Sequence, residues 1–268
     1  MSFTVATYNV LADAYIRREL YPNTSAAVLE PVARRRALLA HLVELDADVF
    51  CLQEVERAAF TEISDRLAPL GYAGHYSQKA GGKPDGCAIF FRKALFTFGE
   101  IVRCVYTDDR TKRRPSGHVA QLVSLEQGAS RLGVVNTHLQ WDQPEIPRSE
   151  KSGYRQVEQL LQALDREIPS CTAWIICGDL NATPDSELVQ LILGAGFTCT
   201  HADYPNPYTF SADGKARTID YLFHSVELRA EPLPLAAVDA RTALPGPDQP
   251  SDHVAVTARF SLCEENTR

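Results

Sequence analysis

At 268 residues, 45% hydrophobic and 23% charged, the chain is long enough to bury a sizeable core and does not have the composition of a disordered polypeptide. Its formal net charge of −7 does not suit a protein that coats long nucleic acid through a broad basic face, because that mode draws its affinity from phosphate neutralisation; short or terminal phosphate substrates fit better. Seven cysteines with no Cys-x-x-Cys support neither a disulfide framework nor a zinc knuckle, and no apolar run approaches the ~18 residues of a membrane span, so a cytoplasmic protein forming one domain over residues 1–268 is expected.

In chain order, Phe3 to Tyr8 mixes β-branched and aromatic residues and stops at Asn9, which reads as a short strand. Pro31 then precedes Leu38, Leu39, Leu42, Val43 and Leu45 at helical spacing. Asp48 to Leu52 is an apolar run ending at Gln53-Glu54, a buried strand whose last residues emerge at an edge. Thr61 to Leu67 reads as a helix ending near Pro69 and Gly71. Four strand-like runs follow, at Cys87–Phe91, Phe96–Val105, Val119–Leu125 and Leu132–Leu139, separated by turn signals such as Gly81-Gly82 and Glu126-Gln127-Gly128. They are expected to form one antiparallel meander. Val157, Leu160, Leu161 and Leu164 mark a helix, Ala173–Cys177 a buried strand ending at Gly178-Asp179, and Leu188–Leu193 another helix. Ile219–Phe223 and Val254–Phe260 supply closing strands, and the proline-rich stretch from Glu231 to Pro250 is expected to be a surface loop that walls the site. Two strand-helix-strand halves flanking a meander predict an α/β protein with two sheets face to face and helices outside, a four-layered sandwich.

Polar, metal-competent residues recur where these strands end or begin: Asn9, Glu54, His138, Asp179 with Asn181, Asp220, and Asp252 with His253. Strand ends gather at one rim of a sheet, so carboxylates placed just past them converge although far apart in sequence. Carboxylates brought together repel one another unless a cation compensates them, and hard oxygen donors favour magnesium or manganese over zinc or copper. Each residue taken singly also has a structural reading: Asn9 suits a turn, Asp252 a helix cap, and His138 a hydrogen-bonded strand histidine.

The linear order of six blocks adds to this. Thr7-Tyr8-Asn9-Val10-Leu11-Ala12-Asp13-Ala14-Tyr15, Leu52-Gln53-Glu54-Val55, Asn136-Thr137-His138-Leu139, Gly178-Asp179-Leu180-Asn181, Ile219-Asp220-Tyr221 and Ser251-Asp252-His253 together resemble the endonuclease/exonuclease/phosphatase superfamily, whose fold is DNase I-like: an α/β/β/α sandwich of two mixed sheets. Asp85-Gly86-Cys87-Ala88-Ile89-Phe90-Phe91-Arg92 and Asn136-Thr137-His138-Leu139-Gln140-Trp141-Asp142 resemble, within it, the branch of deadenylases, nocturnin, angel proteins and 2′-phosphodiesterases.

That resemblance implies roles. Glu54 would bind the metal directly, with Asn9 and Asp252 beside it, directly or through water. Asp179 would orient or deprotonate the attacking water, and Asn181 would hold the scissile phosphate or a second ion. His253 and His138 would contact phosphate oxygens, and Asp220 would orient a histidine. One ion or two both fit, Mg2+ being expected and Mn2+ able to substitute. Trp141, Tyr208 and Phe210 are candidates for stacking on a base, although each also suits a packing role. Arg35 or Arg36, in the run Arg34-Arg35-Arg36, is the better candidate for guiding phosphates, and Lys112-Arg113-Arg114 is a second basic run.

The expected function is magnesium-dependent hydrolysis of phosphodiester or terminal phosphate bonds in RNA at 3′ ends, as a deadenylase-like exoribonuclease or a 2′,3′-cyclic or 2′-phosphodiesterase. The alternatives are a phosphatase or phosphodiesterase of small nucleotides and a catalytically silent binding module. No obligate protein partner is evident. The stretch from Gln143 to Gly153 is longer and more charged than expected for that branch, and no added recruitment domain is expected in this chain, so the resemblance leaves poly(A) specificity open. Gly-x-Ser-x-Gly, Walker A, His-Glu-x-x-His and dinucleotide fingerprints are absent.

Overall fold

A computed structural model describes residues 2–107, 116–128, 130–143, 145–168, 170–205 and 207–263. The first sheet contains β1 (Ser2–Asn9), β2 (Val49–Glu56), β3 (Tyr72–Gln78), β4 (Asp85–Arg92), β13 (Leu228–Pro232) and β14 (Val256–Leu262), in the order β13-β14-β1-β2-β4-β3. The second contains β5 (Thr97–Val105), β6 (Val119–Gln127), β7 (Ser130–His138), β8 (Ala173–Asp179), β9 (Thr198–Cys199) and β12 (Asp220–His224), in the order β5-β6-β7-β8-β12-β9. A separate hairpin pairs β10 (Phe210–Ala212) with β11 (Lys215–Arg217).

Alternation along these strands divides their apolar side chains between an inner face and an outer one. Val5, Val49, Cys51 and Ile89 of the first sheet meet Val123, Val134, Ile175 and Cys177 of the second in the central core. The outer face of the first sheet, including Tyr8, Phe50, Leu52 and Phe90, is covered by α2 (Pro31–Leu45) and α3 (Arg57–Leu67). That of the second, including Leu122, Val135 and Ile176, is covered by α4 (Ser152–Glu167) and α5 (Glu187–Gly194). The single turn α1 (Ala26–Leu29) leads into α2. The four layers predicted from the sequence are present.

The meander differs from expectation. β5, β6 and β7 are antiparallel neighbours, but β4 pairs with β2 and β3 in the opposite sheet. A tight turn after Arg92, where the amides of Leu95 and Phe96 both donate to the Arg92 carbonyl, carries the chain across the core. Period-2 patterning is the same in both sheets and therefore does not reveal the crossing. Sequence reading also omitted β3 and β13, both at sheet edges with few buried residues, and the short β9, β10 and β11. The Glu231–Pro250 stretch starts inside β13 and runs without regular structure from Leu233 onward.

β1 and β2 are parallel neighbours, as are β7 and β8, whereas β12 and β14 run antiparallel to β8 and β1. The carboxyl ends of the first four and the amino ends of the last two therefore meet at one rim.

Candidate functional site

Register sets the site. His138 stands opposite Asp179 across β7 and β8, and Asp179 stands opposite Asp220 across β8 and β12, so three titratable residues sit side by side on one rim. On the other sheet Asn9 stands opposite Gln53. Asp252 and His253 lie just ahead of β14, with His253 bridged to Phe210.

Glu54 reaches this rim through an irregularity. The pairing of β2 with β4 shifts between Leu52 and Val55, and Glu54 has φ of 57°. The bulge turns its carboxylate into the cleft instead of leaving it on the strand's alternation. Asn181 is likewise left-handed, at φ of 51°. Gly178, at φ of 143°, lies so close to β7 that a Cβ there would fall 1.8 Å from the Thr137 carbonyl oxygen, so only glycine allows Asp179 its position. Beneath the rim, Gln53 Nε2 donates to Asn136 Oδ1 across the two sheets at 2.8 Å, while Asn136 Nδ2 donates to the Leu52 and Ala88 carbonyls. This buried polar tie holds the rims together.

The cluster is closely connected. Asn9 Nδ2 donates to Glu54 Oε1 at 3.1 Å and to Asp179 Oδ2 at 2.9 Å, and the Ala12 amide donates to Glu54 Oε2. The Asn181 amide donates to Asp179 Oδ1 at 2.8 Å. Tyr21 donates its hydroxyl proton to Asp252 Oδ2 at 2.9 Å. His253 Nδ1 lies 2.8 Å from Asp220 Oδ2, leaving Nε2 directed toward Asp179 Oδ2 at 3.8 Å and Asp252 Oδ1 at 4.0 Å. Asn181 Nδ2 lies 3.0 Å from His138 Nε2.

Electrostatics separate the two histidines. Burial opposes protonation of His253, but the charge and hydrogen bond of Asp220 outweigh it and push the imidazole up to about 10. His138 is held well below the ordinary histidine value, by burial first and then by Lys79, so it is neutral at physiological pH. Burial, and then the charge of Asp220, pushes Asp179 up to about 7. Burial also raises Glu54, partly offset by Lys79.

Four carboxylates, Glu54, Asp179, Asp220 and Asp252, thus share the cleft with one imidazolium, while Lys79 is paired with Asp85 at 2.7 Å. Asp220 Oδ1 is buried with no hydrogen-bond partner among the described residues. Excess negative charge on hard oxygen donors fits a divalent cation. Asp179, Asp220 and His253 offer ligand atoms within 4.8 Å of one another, but His253 and Asp220 already satisfy each other. Glu54, with Asn9 and Asp252 at hand, is a second donor set, its two oxygens accepting from Asn9 Nδ2 and the Ala12 amide.

Of the stacking candidates, Phe210 and Trp141 adjoin the cluster. The Phe210 ring is 4.9 Å from that of His253, Trp141 is 46% exposed beside Asn181, and Tyr208 is exposed. The arginine run takes other directions. Arg34 is buried and donates to the Val10 and Pro250 carbonyls, which ties the proline-rich loop to the site, and Arg35 is bound to Asp13 and Glu62. Arg36 is exposed, and among the described residues no hydrogen bond or ion pair joins it to the cluster. Lys112, Arg113 and Arg114 lie outside the described residues.

Sequence reasoning missed Lys79, Tyr15, Tyr21 and His118. Lys79 is buried, with Nζ 3.1 Å from His138 Nδ1, and its partner Asp85 accepts from the Tyr15 hydroxyl at 2.6 Å. His118 stacks on His138 with ring centroids 5.6 Å apart. Tyr15 closes the first quoted block and Asp85, the partner of Lys79, opens the Asp-Gly-Cys-Ala block, which were the available signals; nothing local marks Tyr21 or His118.

The model of the Endonuclease/Exonuclease/phosphatase family matches residues 6–253. The chain is 26% identical to carbon catabolite repressor protein 4 homolog 4 of Arabidopsis thaliana, over 98% of this chain and 78% of that one. It is 28% identical to 2',5'-phosphodiesterase 12 of Bos taurus over 93% of this chain, but spans only 50% of that relative. The crystal structure of ANGEL2, a 2',3'-cyclic phosphatase, in complex with adenosine-2',3'-vanadate superposes with a TM-score of 0.83 at 23% identity, covering 98% of this chain and 96% of that one.

Proposed function

Because the chain belongs to the Endonuclease/Exonuclease/phosphatase family, we propose that it is a magnesium-dependent hydrolase of phosphate esters in RNA, acting at 3′ ends. The observation that carries this reading is the convergence of Asn9, Glu54, Asp179, Asp220, Asp252 and His253, from both sheets, into one cleft with more carboxylates than cations. The similarity to 2',5'-phosphodiesterase 12 supports a phosphodiester substrate.

Glu54, with Asn9 and Asp252, would hold the Mg2+. When bound, the ion supplies Lewis-acid polarisation of a phosphoryl oxygen and offsets charge on the leaving oxygen. Asp179, raised to about 7, is suited to orient a water and take its proton near neutral pH. The Asn9 side chain and the Asn181 amide aim its two oxygens. His253, protonated and fixed by Asp220, presents Nε2 to the phosphoryl oxygens where charge develops. Neutral His138 and the Asn181 side-chain amide, 3.0 Å apart, flank the same space and would contact the phosphate. Phe210, Trp141 and Tyr208 offer base-stacking faces, whereas Arg35 is engaged by the carboxylates of Asp13 and Glu62 and is given no role in this reading.

A second reading, hydrolysis of small nucleotides, is favoured by the net charge of −7. Chelated protein restored with Mg2+ and given short RNAs of differing 3′ chemistry, alongside free nucleotides, separates the two. Mass-identified loss of a 3′-terminal unit from RNA is expected. Turnover of free nucleotides alone would establish the second reading, and no Mg2+-dependent turnover would overturn both.

A further inference from the structure

Asn181 belongs to two places at once. One side of it contacts His138 in the cleft, and the other lines a groove of about 400 Å³ bounded by Trp141, Tyr154, Leu188, Arg217 and Ile219. That volume lies in the range of small-ligand sites, and it opens directly from the cleft where the scissile phosphate would lie.

The charged groups of the groove have distinct commitments. Asp142 accepts the amides of Ser152 and Gly153 at the start of α4, at 3.0 and 2.7 Å. Lys151 is paired with Glu187 at 3.3 Å, and Asp185 accepts the Thr183 hydroxyl at the outer edge. Arg217 differs: its guanidinium has no hydrogen bond or ion pair among the described residues, although it is only partly exposed. It is held on β11 opposite Phe210, whose ring faces His253. A half-buried guanidinium without a carboxylate, separated from His253 by Phe210 of β10, is poised for an oxyanion such as a phosphate, two of whose oxygens it can grip through parallel N–H donors.

We infer that this groove holds the nucleotide adjoining the scissile phosphate, stacked on Trp141, and that Arg217 binds the next phosphate along the strand. The preferred substrate then carries at least two phosphates separated by one nucleoside, an oligonucleotide in place of a mononucleotide or a dinucleoside monophosphate. The inference rests on the phosphoesterase reading for its catalytic part and on the groove alone for its binding part.

Two measurements keep those parts distinct. In the first, kcat/KM is compared for a ribotrinucleotide, with two phosphates, and a ribodinucleoside monophosphate, with one. The native protein favours the trinucleotide, and Arg217→Ala lowers that preference about tenfold, mainly through KM, with partial recovery in Arg217→Lys. Equal losses on both substrates would mean a structural role and overturn the assignment. In the second, chelated protein is titrated with a nucleoside 3′,5′-bisphosphate and with the 5′-monophosphate, followed by tryptophan fluorescence. The bisphosphate binds the native protein more tightly, by about tenfold, and Arg217→Ala removes the difference. Equal affinity of the native protein for both ligands would overturn the inference even if hydrolysis is observed. A retained difference without any hydrolysis would instead strike only the catalytic reading.

Discussion

In the proposed mechanism the chemistry turns on Glu54 and His253, and both are aimed by features that leave little local trace in the sequence. Glu54 is aimed by a bulge with left-handed φ, and His253 by a hydrogen bond to Asp220, thirty-three residues earlier in the chain. Glu54→Gln keeps the shape and removes the charge proposed to hold the cation; His253→Ala removes the imidazolium. Each, still folded by circular dichroism, is expected to lose activity by a factor on the order of 100 or more in a Mg2+-dependent assay, and substantial residual turnover in both would refute the assignment. The pH behaviour of His253 has a definite sign. Its folded-state value is raised from 6.5 to about 10, so its stabilisation is fully present below the unfolded value and is lost as pH rises through the folded one. In chelator, urea stability of the native protein should fall between pH 7 and 9, and His253→Ala should be flatter over that window. The identities of the cluster were legible because polar residues interrupt apolar runs at strand ends. Lys79, Tyr21 and Arg217 were not, since their significance comes only from partners or groove walls brought together by the fold.

The elements themselves were legible where one face is apolar and the other is not, or where a run is buried on both faces. The helix α2 begins at Pro31 as its proline and leucine spacing indicate, and β8 ends at Gly178-Asp179 as its apolar run indicates. Edge strands escaped notice for the converse reason: β3, Tyr72–Gln78, buries only Tyr72 and Ser77 outright. The crossing after β4 was hidden because neither sheet marks its strands in sequence. At this scale the tie between Gln53 of β2 and Asn136 of β7 bears most on the site, since it is buried and joins the sheets directly beneath the rim. Asn136→Ala leaves Gln53 Nε2 with fewer acceptors and the Leu52 and Ala88 carbonyls without this donor. A loss of about 2–3 kcal/mol in urea unfolding is expected, accompanied by reduced activity because the two rims lose their common reference. Unchanged stability and activity would show that sheet packing alone sets the rim.

Across the whole molecule, two six-stranded sheets bring six strand ends to one opening, and the residues there come from Asn9 at one end of the chain to His253 at the other. Such an arrangement gathers carboxylates that would repel one another in the absence of a cation. Ion binding should therefore stabilise the fold as a whole, since the ligands exist as a set only when both sheets are packed. The most direct test is crystallography of the protein soaked in Mn2+, with anomalous diffraction used to locate the ion. The account predicts a peak at coordination distance from the Glu54 carboxylate, within the cleft shared with Asn9 and Asp252, and its loss in Glu54→Gln. Manganese bound elsewhere on the surface, with none at Glu54, would contradict it.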